Sequence, residues 1–168
     1  DVKMYIKDEI DNLLGLITSL EASILKFAKG NPRIIIPGYT HLQVAQCVLL
    51  AHHLLAYIES LERDKERLKS CKQRTDQMPL GSCALSGTGL AIDRNFVKKE
   101  LGFAELTQNS IDSVSDRDFI IELLADLAIV SVHLSRMSED LILWSTKEFN
   151  FIDLDFSFCT GSSIMPHK

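Results

Sequence analysis

The cysteine pattern lacks any sign of a metal or redox centre. Cys47, Cys71, Cys83 and Cys159 are widely spaced, and no two stand at the C-x2-C separation of a zinc site or thiol motif. Such thiols fit a reducing, cytoplasmic compartment. An excess of positive charge is also missing. The formal net charge is -5 and the isoelectric point about 5.5, so phosphate backbones are repelled and nucleic acid is not an expected partner. The one basic run, Arg63 to Arg74, alternates with Glu62, Asp64 and Glu66 and reads as i,i+3 pairing on a solvated helix face. No uninterrupted apolar run is long enough for a bilayer, because the longest, Phe119 to Leu134, is broken by Glu122, Asp126 and His133. No leader-like charged and apolar segment opens the sequence. Strand signals are scarce, and no repeat or low-complexity tract stands out.

What is present is helical periodicity. Apolar residues at 2, 6, 10, 13, 17, 20, 24 and 28 recur at steps of three or four, so one stripe of a long helix faces a core until Gly30, Asn31 and Pro32 end it. Arg33 to Ile36 and Pro37-Gly38 then form a connector presenting Tyr39 to Gln43. A second helix is expected from about Val44 to Arg74, apolar at first and increasingly charged. Met78 to Ile92 is glycine-dense and reads as a loop whose backbone N–H groups can meet a ligand. Asp93 caps a short helix from Arg94 to Leu101, which Gly102 stops. The longest helix is expected from about Ser113 to Phe149. It is apolar nearly all round between Phe119 and Leu134, more than one 168-residue domain can enclose, so other subunits are expected to cover it. The fold class is all-α, a long-helix bundle with functional loops at helix ends.

Two stretches carry candidate chemistry. His41 lies between the Pro37-Gly38 turn and a helix start, flanked by Thr40 and Gln43, where an imidazole can donate or accept a proton. Gly161-Ser162-Ser163-Ile164-Met165-Pro166-His167-Lys168 combines a permissive glycine, two hydroxyls, a stiffening proline and a compact cation, which suits a loop that grips an anion. His52, His53 and His133 lie in helical stretches without the spacing of a metal site.

That terminal string resembles the G-S-S-x-M-P-x-K-x-N signature of the fumarase and aspartase superfamily. Pro37 to Gln43, Gly81 to Thr88 with Asp93-Arg94, Asn109 to Asp118 and His133 to Leu141 further resemble the argininosuccinate lyase family, in order and along essentially the whole chain. The resemblance implies a superfamily helical bundle and cofactor-free anti elimination of argininosuccinate to arginine and fumarate. It assigns Ser162 to the base and His41 to the acid side or its support. It makes Thr40 a substrate-contacting hydroxyl and Lys168 the cation that stabilises the doubly charged carboxylate. Ser82, Thr88 and Gln43 are expected only near the site. The resemblance also implies a homotetramer with active sites shared between subunits, and neither cofactor nor metal. The family segments expected before Asp1 and after Lys168 are not in the sequence, so residues 1–168 read as a central region truncated at both ends. The alternatives are another fumarate-releasing lyase and a structural protein like delta-crystallin.

Overall fold

The computed structural model describes residues 1–165, and Pro166, His167 and Lys168 lie outside the described residues. Three long helices dominate: α1 (Val2–Gly30), α2 (Leu50–Thr75) and α5 (Asp118–Trp144). A hairpin of β1 (Ile35–Thr40) and β2 (Gln43–Leu49) joins the first two. Between α2 and α5 lie β3 (Gln77–Met78), α3 (Arg94–Glu100), β4 (Glu105–Leu106) and α4 (Ser110–Ser115). Among the described residues, no helix is long and apolar enough to cross a membrane.

The apolar stripe of α1 lands where its spacing requires. Ile6, Ile10, Ile17, Ile24 and Ala28 are buried, with Leu13 and Leu20 packed against them, while Val2 is largely exposed. Leu50, Leu54, Leu61, Leu68 and Cys71 of α2 face them, and α5 adds chiefly Phe119 and Trp144. Leu68 is fully buried. Leu68→Ala is therefore expected to cost about 2 to 5 kcal/mol, the transfer and cavity terms together, measured by denaturant unfolding.

The ion pairs set the directions of the helices. Asp11 meets Lys72 and Glu21 meets Lys65, so α2 runs antiparallel to α1; Arg74 meets Glu122 and Asp64 meets His133, so α5 runs antiparallel to α2. The expected i,i+3 pairs exist, Glu62 with Lys65 and Asp64 with Arg67. The face is solvated at Glu62, Arg63, Glu66, Lys69 and Arg74 but not throughout: Asp64 and Lys65 are buried, because α2 lies between the other two helices. The Arg74 guanidinium, hydrogen-bonded to Glu122, holds that carboxyl below its usual range. A depressed carboxyl contributes stability above its unfolded value of about 4.3 and loses it as pH falls through the folded value. Arg74→Gln is accordingly expected to lower the melting temperature at neutral pH, and the difference from the parent should vanish in acid.

Two boundaries differ from expectation. Residues 44–49 are strand, not helix: the Ile35 to Thr40 backbone pairs with Leu49 to Gln43, and α2 starts at Leu50. Residues 113–149 are not one helix. Asn109 caps α4 through the N–H groups of Ile111 and Asp112, and Asp116 Oδ1 then accepts from Asp118 N at 2.8 Å, which turns the chain before α5. The longest helix is thus α1, at 29 residues against 27 for α5. Within one chain α5 is not enclosed, since Ile121, Leu124 and Val132 are more than half exposed.

Candidate active site

At one end of the bundle the hairpin turns through His41 and Leu42, with φ of 51° and 62°. Two-residue hairpin turns favour positive φ, which glycine supplies at little cost and His or Leu only under strain. Gly38 permits the strands to close, since a Cβ there would stand 2.9 Å from Val48 Cγ2. Thr40, His41 and Gln43 are all exposed, presented by the hairpin rather than by a helix start. Tyr39 packs on Phe149 at 5.4 Å between ring centroids, and Phe149 on Phe151, which ties the hairpin to the segment following α5.

That segment continues to the glycine-serine string. Ser162 is half-buried, and its Oγ accepts from Met165 N at 3.1 Å. An N–H aimed at this oxygen favours negative charge on it, the property a serine base requires. Among the described residues no hydrogen bond joins Ser162 to Thr40 or His41, and Lys168 lies outside them.

The opposite end holds the glycine-dense loop. Ser82 is buried, and its carbonyl accepts from Gly87 N at 2.9 Å. Gly81, at φ 93°, leaves room for Arg94, whose Nε donates to Leu80 O and whose Nη2 donates to Thr107 O. Pro79 to Cys83, Ser113 and Val114 line a cleft of about 410 Å³. Ser82, Thr88 and Gln43 were expected near a site shared between subunits, and His41 within it. Within one chain Ser82 and Thr88 stand apart from His41 and Gln43, because the 26 residues of α2 separate the two ends by about 39 Å.

A polar cluster that no local spacing announced lies beside the hairpin. His53 Nε2 is 3.0 Å from Tyr57 Oη and 3.2 Å from Asp140 Oδ2, Tyr57 donates to Asp140, and Trp144 packs edge-on against the imidazole. Burial, followed by the hydrogen bond to Asp140, pushes the Tyr57 phenol far above its ordinary range, so it remains a donor. His53 and Tyr57 share a helix face at i,i+4, but Asp140 arrives only through the packing of α5 on α2.

The whole chain, residues 1–168, matches the family model described as lyase. It is 53% identical over 168 residues to an argininosuccinate lyase of Pelotomaculum thermopropionicum, covering 100% of this chain and 36% of that protein. It is 55% identical to that of Desulforudis audaxviator, over 100% of this chain and 37% of the other. The chain thus spans little more than a third of the length of these curated relatives. A crystal structure of EDDS lyase in complex with formate superposes with a TM-score of 0.96 at 31% identity, over 99% of this chain and 33% of that one. A variant of EDDS lyase with bound fumarate gives 0.95 at 31% identity, with the same coverage.

Proposed function

The chain belongs to the lyase family, and from that premise we propose that the full-length protein cleaves argininosuccinate to arginine and fumarate. The observation that carries this reading is identity of 52 to 55% to argininosuccinate lyases along the entire chain, against 31% to EDDS lyase. In the reaction a base removes a proton from the succinyl carbon next to the one bonded to nitrogen. The electron pair forms the fumarate double bond, the carbon–nitrogen bond breaks, and the guanidino nitrogen leaves as part of arginine after protonation. Ser162 takes the role of base, supported by the Met165 N–H on its Oγ. His41 serves the acid side or its support, Thr40 contacts the substrate through its hydroxyl, and Lys168 stabilises the dianion formed as the proton leaves.

The separation of about 39 Å between the hairpin end and the glycine-rich loop end supports a site gathered from several copies in a homotetramer. The exposed apolar face of α5 offers the surface for that assembly. All four cysteines are free, in keeping with a cytoplasmic setting. The test is ultraviolet absorbance of released fumarate from the full-length protein, with argininosuccinate compared with other N-substituted aspartates. Turnover of another substrate in preference to argininosuccinate would overturn the assignment.

His41→Asn is expected to lower turnover by about tenfold or more while the far-ultraviolet circular dichroism stays that of the parent. Asn keeps polarity and bulk but has no ring nitrogen to donate or accept a proton. Parental turnover in the variant would reduce His41 to a structural part of the turn.

A further inference from the structure

The seam between α2 and α5 contains a group of side chains, two of them buried and one half-buried, that the proposed reaction does not use. Cys71 Sγ from α2 and carboxylate oxygens of Glu122 and Asp126 from α5 all lie within 4.8 Å of one another. Glu122 and Asp126 are one helical turn apart on the same face of α5. Cys71 is fully buried, and its Sγ–H donates weakly to Phe119 O at 3.9 Å. Asp126 is 8% exposed, and among the described residues its Oδ2 has no hydrogen-bond partner. An unpaired buried carboxylate oxygen is costly, and this one stands in the midst of two other potential ligands.

We propose that Cys71, Glu122 and Asp126 form a binding site for one borderline-soft divalent ion of the zinc class, which clips α2 to α5. One thiolate and two carboxylates suit such an ion, with water completing a tetrahedron. Zinc ligands at ordinary bond lengths stand roughly 3.3 to 3.8 Å apart, so the group must contract by about 1 Å on binding. Charge is balanced as well: three anionic ligands face a dication and the Arg74 guanidinium that already holds Glu122. Ligation breaks the Cys71 S–H bond and releases its proton to solvent, forming the metal–sulfur bond without a change in oxidation state. Burial holds both the Cys71 thiol and the Asp126 carboxyl above their ordinary ranges, so each is poorly solvated as an anion until a cation arrives. The Glu122 side chain is 29% exposed and offers the route from solvent.

The test is titration of cobalt(II) into the chelator-treated protein carrying Cys47→Ser, Cys83→Ser and Cys159→Ser together, which removes the exposed thiols and leaves Cys71. A thiolate-to-cobalt charge-transfer band in the near ultraviolet, saturating at one ion per chain, is expected. Zinc(II) should displace the cobalt and raise the melting temperature by mass action. Adding Cys71→Ser should abolish the band, and adding Asp126→Asn should weaken cobalt binding by about tenfold or more. No band in the triple variant, or a band that survives Cys71→Ser, would overturn the site. Should Cys71→Ser fail to fold, near-isosteric Asp126→Asn decides alone, and unchanged cobalt affinity there overturns the proposal.

Discussion

Ser162→Ala in the full-length protein is expected to lower kcat by at least about a hundredfold while KM changes little. In the proposed mechanism the hydroxyl acts as the carbon acid ionises, so its contribution would belong to the transition state, whereas Thr40 and Lys168 would act on bound substrate as well. A serine is a weak base unless negative charge on its oxygen is stabilised, and the N–H of Met165 already points at Ser162 Oγ from 3.1 Å. Removing the hydroxyl deletes that acceptor without disturbing a packed core, since the neighbouring Ser163, Ile164 and Met165 are exposed. The measurement is steady-state fumarate release at saturating and limiting argininosuccinate. Parental kcat in the variant would remove Ser162 from the chemistry.

Ile129→Glu is expected to abolish assembly, and activity with it. Ile129 is 37% exposed on an α5 whose Ile121, Leu124 and Val132 are open to solvent within one chain. Each such side chain is worth roughly 1.5 to 3 kcal/mol when covered, and a contiguous set exceeds the few hundred Å² that monomers tolerate. In the proposed tetramer a glutamate here would bury an unpaired charge against the partner helices. It would spare the core of the single chain, which rests on Leu61, Leu68 and the α1 stripe. Light scattering should therefore report a folded, dissociated variant with no fumarate release, because the hairpin and the glycine-rich loop of one copy cannot reach each other. A folded monomer of the parent at micromolar concentration would defeat the assembly itself.

The polar features of the α2 seam show where reading along the chain stops. The i,i+3 pairs Glu62–Lys65 and Asp64–Arg67 were legible because both partners lie on one helix. The solvation assigned to them holds for Glu62 and Arg67 but fails for the other member of each pair, because Lys65 also reaches Glu21 and Asp64 also reaches His133, both on other helices. The helix expected from Val44 failed for a related reason. Val44 to Leu49 is as compatible with helix as with strand, and pairing with Ile35 to Thr40 decides between them by satisfying both backbones. The break before α5 depends on Asp116 turning back on Asp118 N, which competes with a continuous helix through short polar side chains.

By itself the sequence determined the helical class, the buried stripe of α1 and the cap at Asp93, and its motifs marked Thr40, His41 and Ser162 as candidates, because periodicity, capping and motif are properties of near neighbours along the chain. Only the tertiary structure decided that His41 sits in a strained hairpin turn and that Ser82 and Thr88 stand a helix length away from it. It alone brought Asp140 to His53 and Tyr57, and Cys71 to Glu122 and Asp126. Those relations depend on how α2 packs against α5, and the packing is set by core side chains whose separation along the chain carries no record of their contact.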